Sequence, residues 1–473
     1  MCVLVLNDRV PAYVYGRLAS LVPRRRTIGA KLTGGLLFLV LFAAYNANGR
    51  EIGGSDSQPT KLAARSLALR GNLRLDEDVR RIPQLADRVS FAKDLQGHYR
   101  STYSPVGSFF GAVTATGMRL LGADLDAPRG PNLIAKLTAS ALTSLAVCLV
   151  FFTLRRFVSM GVALTVSVGL GIGTNFWALH SQTMAQHDVV AFGMALCLFN
   201  WTRPTRELSS RHLWMGALGL AFAIAARMQV GPLVGVLCLG LLVRVGWRRA
   251  LGPIALTSLV LALLIAAQWR WFGHPLGAMP ILEQLHPEIH AVEGSLSREP
   301  WVGAAGLLVS PNRGLLVFSP VVIIALIGLI PALRALPDHG LGWAFGGSLL
   351  LYAGYASYTV WWGGHTYGPR YLLDFVLLLT PAAAIALDRV LRSRIARSVC
   401  AVLLVWSIVA AGTGAFFSDN WNTAPNEIDK NHSRLWDWRD PQIVRAWRSG
   451  PSPQNFNLFN WTSYKLTGPE GVR

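Results

Sequence analysis

The chain has 473 residues, 52% of them hydrophobic and only 15% charged, with a formal net charge of +19. Soluble domains average about 25% charged residues, so a chain this apolar, with positive mean hydropathy, reads as an integral membrane protein with several helical spans. The basic excess would also suit nucleic-acid binding, but the arginines flank apolar runs and build neither one patch nor an aromatic-rich RNA motif, so no nucleic-acid partner is expected.

In chain order, residues 1–29 read as a cytoplasmic segment. Arg24-Arg25-Arg26 and Lys31 precede an apolar run from Leu36 to Ala44. A signal peptide has the same pattern, but the long preceding region and the many later apolar runs favour an uncleaved anchor. Taking about 20 apolar residues per span, residues 30–417 hold eleven, centred near Phe38, Ala146, Val168, Gly193, Leu218, Leu237, Ala262, Ile324, Leu349, Leu377 and Leu404. The fold class expected is therefore an all-α polytopic membrane protein with external loops capping the bundle. With the N-terminus in the cytoplasm, Arg155-Arg156, Arg203/Arg206/Arg211, Arg244 with Arg248-Arg249, and Arg389/Arg392/Arg394/Arg397 all fall on the cytoplasmic side, as the positive-inside rule requires.

That alternation leaves three long external segments, about 49–132, 273–312 and 418–473, the last read as a packed C-terminal cap. In the first, Leu62, Leu67, Leu69, Leu73 and Leu75 mix with Lys61, Arg65, Arg70 and Arg74, an amphipathic pattern suited to the membrane interface. Val106 to Leu121 is apolar but glycine-rich. It is expected as a re-entrant or interfacial helix, because a further span there would reverse every later loop. Cys148, Cys197, Cys238 and Cys400 lie inside apolar runs and Cys2 at the terminus, with no metal-type or disulfide spacing.

Three arginines lie beside spans on the side that disfavours them: Arg227, Arg313 and Arg370. An off-side cation next to hydrocarbon is a functional candidate, and three of them point to an anionic ligand. Four external patches surround them. In Glu51 to Lys61, EIGGSDSQPTK, Asp56 is placed to act as a base or to cap a helix beginning at Pro59 or Thr60. In His180 to Asp188, HSQTMAQHD, the spacing matches no zinc signature. His187 is the candidate there for a ligand hydrogen bond, and Asp188 suits a helix start and a pairing with Arg227. The third patch joins Trp269, Trp271 and Phe272-Gly273-His274-Pro275 to Ser310-Pro311-Asn312-Arg313-Gly314, where Arg313 at a helix head would favour an anion. The fourth and densest runs from Trp361 to Tyr371, WWGGHTYGPRY. Glycines there allow close approach, Trp362, His365 and Tyr367 offer faces and polar tips for a sugar or prenyl chain, and Arg370 stands at a helix start.

An acidic loop after the first span, an FG-x-P element (Phe272 to Pro275), an S-P-x-R-G-L element (Ser310 to Leu315) and a YGPRYL element (Tyr367 to Leu372) together resemble the bacterial GT-C membrane glycosyltransferases. Their relatives include the protein O-mannosyltransferases and the lipid A aminoarabinose transferase. The resemblance implies a polyprenyl-phosphate-linked sugar donor and an external acidic residue as base, matched by Asp56. It also implies donor-phosphate contacts from Arg370 and Arg313. From its off-side position Arg227 is a third phosphate candidate, and Lys61, beside the acidic loop, is expected among the substrate contacts. The mannosyltransferases carry an Asp-Glu pair, whereas Asp56 is followed by Ser57, which leaves both sugar and acceptor open.

The chemistry is coherent with these parts. A sugar phosphate departs as a stable anion that cationic side chains can hold, while the acceptor hydroxyl needs a base. No cofactor is obligatory, and a divalent cation is compatible with the scheme without being indicated. The expectation is an inverting membrane glycosyltransferase of the bacterial inner membrane, acting at the extracytoplasmic face on a cell-envelope glycan, lipid or protein acceptor. The rival is a non-catalytic carrier or flippase for an anionic lipid-linked sugar. Alternating access usually needs a pathway open to both sides, whereas here the long loops lie on one side only.

Overall fold

The computed structural model describes residues 27–278, 281, 296–423 and 427–459. The basic cluster Arg24-Arg25-Arg26, most of 279–295 in the second external segment, and the end of the cap, 460–473, lie outside the described residues. The first apolar run forms α1 (Thr27–Asn46). The segment after it folds into α2 (Ser57–Arg70), α3 (Asp76–Arg81), a hairpin of β1 (Phe91–Lys93) antiparallel to β2 (Tyr99–Ser101), and α4 (Val106–Leu120). There follow α5 (Gly130–Leu154), α6 (Met160–Ile172), a π-helical turn Phe176–His180, α7 (His187–Trp201), α8 (Ser210–Ala226), α9 (Gly231–Val245) and α10 (Trp247–Phe272). Beyond the second external segment lie α11 (Pro300–Val309), α12 (Leu315–Phe318), α13 (Ile323–Ala335), α14 (Leu341–Ala356), α15 (Leu373–Val376), α16 (Thr380–Val390), α17 (Arg394–Phe416) and, in the cap, α18 (Gln442–Ser449).

Five helices are long and apolar enough to cross a membrane among the described residues: α1, α5, α9 with the turn before it, α10 and α17. Their outward faces are apolar. Leu259 and Leu263 on α10, and Val402 and Val405 on α17, are exposed, as suits a helix whose solvent is hydrocarbon and not water. By contrast α5 is buried around most of its circumference and forms the middle of the bundle. The apolar runs near Ile324 and Leu377 are broken helices. Pro320 lacks the N–H that would join α12 to α13, and a 3-10 turn, Leu377–Leu379, links α15 to α16, where Pro381 takes the tolerated first-turn position.

Close helix crossings rest on small residues, as in membrane bundles generally. Gly193 on α7 and Gly219 on α8 face each other so tightly that a Cβ on either would strike the other's carbonyl oxygen, and Gly328 on α13 meets the carbonyl of Ala382 on α16 in the same way.

Hydrogen bonds sort the loops into two ends of the bundle. At one end Arg244 donates to the carbonyls of Trp201, Arg203 and Asp338, and Arg156 to those of Phe199 and Thr202. At the other, Asn48 donates to Gln182 and to the carbonyl of Ala415, both at 2.8 Å, while the buried Lys136 of α5 donates to Asn48 and Gln182.

On this second end α2 and α4 pack face to face, with Ser108 donating to the Thr60 carbonyl at 2.9 Å. Gly107, Ser108, Gly111, Ala112 and Ala115 make the buried face of α4, whereas Phe109, Val113 and Leu120 point outward and are exposed. The segment 273–312, expected as a loop, contains the apolar helix α11, which packs on α14 with Tyr352 donating to the Ala304 carbonyl. Finally, residues 452–458 return to the segment that follows α1 as a strap. Phe456 N donates to the Asn48 carbonyl and Leu458 N to that of Gly49, both at 2.8 Å, and Arg50 reaches Ser452 and the Phe417 carbonyl. Gly49, at φ +57, has no room for a Cβ against the Phe456 backbone.

Candidate functional site

The α2 helix starts at Ser57, two residues before the expected Pro59, and Asp56 occupies the cap position without its carboxylate accepting a bond from the helix N–H groups. The capping alternative for Asp56 is thereby corrected. Ser57 tightens the loop instead, exchanging hydrogen bonds with Gly54 at 3.0 Å. The Asp56 carboxylate is left free to meet Arg370, 314 residues away in sequence, with Oδ2 accepting from Nη1 at 3.2 Å. Both side chains are partly exposed, 26% for Arg370 and 19% for Asp56, so the pair lies at a surface and not in the core.

Behind Arg370 lies a buried polar network. Asp374, fully buried in α15, accepts from His187 Nδ1 at 2.7 Å and from the Tyr355 hydroxyl at 2.5 Å, and Arg227 Nε stands 3.3 Å from its Oδ2. The other ring nitrogen of His187 faces Arg227 Nη1 at 2.9 Å. A guanidinium can only donate, so Nε2 is the acceptor, Nδ1 carries the proton towards Asp374, and His187 is neutral. Tyr371 stacks on Tyr355 at 4.7 Å, and its ring lies within 6 Å of both guanidinium groups, 5.7 Å from Arg370 and 5.9 Å from Arg227, a range in which a phenol face attracts cations. Two guanidinium groups thus flank one ring, each held by its own carboxylate.

The loop carrying Arg370 is fixed through its backbone. Arg313 spends all five of its N–H donors on neutral acceptors: the carbonyls of Trp362, Asn312 and Gly364, Gln442 Oε1 and Asn422 Oδ1. Asn422 and Gln442 both donate to the Thr366 carbonyl, and Asn175 donates to that of Tyr367. Gly363, Gly364 and Gly368 adopt positive φ, the left-handed conformations that let the chain fold back under Arg370.

The expected residues therefore divide. Asp56 and Arg370 meet at the mouth, and Arg227 and His187 meet beneath it, but the partner of Arg227 is Asp374 and not the expected Asp188, which is buried at the start of α7. Arg313 has no N–H left for a phosphate and acts as a staple for the 362–364 backbone. Lys61 is buried and pairs with Glu51 at 2.9 Å. Tyr367 is buried with its hydroxyl on the Ala410 carbonyl, and Trp362 is buried with its indole N–H on Asp429. His365 is exposed beside the loop.

Asp374 and Tyr355 went unrecognised in the sequence, although a lone carboxylate inside the apolar run Tyr371 to Leu379 is a signal in its own right. Among the described residues no group of three or more His, Cys, Asp or Glu side chains is arranged to hold a metal ion. Comparison with known proteins finds no family model that matches the chain and no matching curated protein.

Proposed function

We propose that the protein is a polytopic membrane glycosyltransferase that moves a sugar from a polyprenyl-phosphate-linked donor to a hydroxyl acceptor at the extracytoplasmic face, with inversion. The observation that carries this reading is the meeting of Asp56 with Arg370 at a partly exposed mouth, backed by Arg227, Tyr371 and Asp374. The acceptor oxygen attacks the anomeric carbon as the bond from that carbon to the phosphate oxygen breaks. The phosphate leaves with the bonding electrons and Arg370 stabilises its charge. Asp56 takes the acceptor proton. Arg227, its charge balanced by Asp374 and its Nη1 on His187, lies against Tyr371 and fixes the floor of the site behind the phosphate. Arg313 positions the loop.

In this reading the eleven apolar runs all span, the N-terminus faces the cytoplasm, and the membrane is a bacterial inner membrane. The bundle end carrying Asp56 and Arg370 then faces outward, and the end where Arg156 and Arg244 bind loop carbonyls faces the cytoplasm. The exposed apolar face of α4 suits the outer interface.

The test uses purified wild type and Asp56→Asn, which keeps size and removes basicity. Sugar transfer from a lipid-linked donor to a cell-envelope extract is expected to fall about 10²- to 10⁴-fold in the variant. Transfer at the wild-type rate would remove Asp56 as the base. Movement of lipid-linked sugar across vesicles without cleavage by the wild type would favour a carrier instead.

A further inference from the structure

The two arginines of the site are held very differently. Arg227 is buried against a fully buried carboxylate and a neutral histidine, with Tyr355 bracing that carboxylate. Among the described residues Arg370 is held by a single hydrogen bond, from Nη1 to one oxygen of Asp56, and its buried Nε meets no acceptor. Asp56 itself sits on a short loop after Gly53-Gly54, tied through the backbone and Ser57 but not through its carboxylate. A one-point ion pair between partly exposed groups is weak, whereas a guanidinium fork on a phosphate makes two charge-assisted bonds. Because Nε is buried, the fork within reach of a ligand is Nη1–Nη2, and Asp56 already occupies Nη1, so both anions compete for one guanidinium edge.

We propose that the Asp56–Arg370 ion pair is a latch that the donor's phosphate opens: the phosphate takes the Arg370 fork, Asp56 is released, and only then is the carboxylate free to accept a proton from the acceptor hydroxyl. The inference rests on the transferase reading and adds an order to it, donor before acceptor. While it is paired with Arg370, Asp56 is poorly placed to activate water. Once a phosphate is seated, its own negative charge repels the carboxylate towards the acceptor side. Asp374 holds Arg227 in a fixed, charge-balanced pair throughout, so the exchange involves one mobile pair.

Binding of farnesyl phosphate to the purified full-length protein tests the latch. Asp56→Asn removes the competing anion and is expected to bind the probe about two- to fivefold more tightly than wild type, the worth of a weak exposed pair. Arg370→Ala is expected to bind more weakly, and in the Arg370→Ala background Asp56→Asn is expected to bring no gain, since the competition has lost its object. Asp56→Ser serves as a second charge-removing variant with the same expectation, and thermal unfolding confirms that each variant is folded. Wild-type or weaker affinity in folded Asp56→Asn and Asp56→Ser overturns the latch, as does a gain that persists without Arg370. Lost transfer with unchanged probe binding in Asp56→Asn overturns the latch and leaves the transferase reading standing. Tighter probe binding by a protein that transfers no sugar supports the latch and removes that reading.

Discussion

At the residue scale, the same side-chain type does two jobs, and hydrogen-bond accounting tells them apart. Arg370 has donors to spare, while Arg313 has none. Arg313→Lys keeps the charge but offers three donors to five acceptors, so at least two bonds are lost, although Asn422 Oδ1, Gln442 Oε1 and the Gly364 carbonyl each keep a second donor. At about 0.5–1.5 kcal/mol for each bond lost, the variant is expected to unfold at lower temperature in detergent, with farnesyl phosphate affinity reduced only as far as the 362–364 backbone loosens. A collapse in affinity without loss of stability would return Arg313 to the ligand. Asp94, in the β1–β2 turn, makes a pH-dependent case. Burial alone would raise its pKa, but bonds from Arg100 and from the His98 and Gln96 amides outweigh it and hold the carboxyl below the usual range. A depressed folded pKa contributes stability that is complete above the unfolded value of about 3.9 and is lost as pH falls through the folded value. Hydrogen exchange at Gln96 and His98 is expected to speed up on acidification below about pH 4 in wild type, once corrected for intrinsic rates, and to be already fast and flat in Asp94→Asn.

At the element scale, glycine matters where two backbones touch and not where a helix faces lipid. Gly219→Ala puts a methyl group against the Gly193 carbonyl, an overpacking expected to cost about 1–3 kcal/mol. Gly235→Ala on α9, where nothing lies within 4 Å of the added carbon, is expected to leave stability unchanged or raise it by about 0.5–1 kcal/mol through helix propensity. Thermal unfolding of the pair in one detergent checks both, and equal losses would refute the contact assignment. The spans legible in the sequence were those whose apolar runs are unbroken, such as α5, α10 and α17. The irregular ones were legible as apolar but not as broken, although Pro320 and Pro381 mark the interruptions. At the site, Asp56 and Arg370 were readable because each is a charge beside an apolar run among glycines. Their pairing was not, since it spans 314 residues. The saturation of Arg313 was hidden for the same reason, as Asn422 and Gln442 lie 109 and 129 residues downstream.

At the scale of the whole molecule, the arginine clusters predict orientation. Reporters fused after Arg156, Arg206, Arg249 or Arg394 are expected to read cytoplasmic, and those after Gly54, His365 or Ser418 external. The contacts of Arg156 and Arg244 gather 156, 199–203, 244 and 338 at one end, so these sites should report together. An external signal at Arg206 would break the alternation and with it the proposed placement of the site.

The strap that pairs Phe456 and Leu458 with Asn48 and Gly49 also imposes a sequence of events on biosynthesis. Ribosomes deliver a chain from its N-terminal side, so α1 and the Asp56 loop are made before the residues that clasp them, and the β-like clasp beside that loop cannot close until Phe456 and Leu458 have been synthesised. Until then the newborn helices gather around an unclasped loop, and the backbone bonds at Asn48 and Gly49 wait on residues far later in the chain. A chain stopped after α18 would keep its spans and its buried Asp374 network, and would lack the backbone bonds that set the entry to the loop.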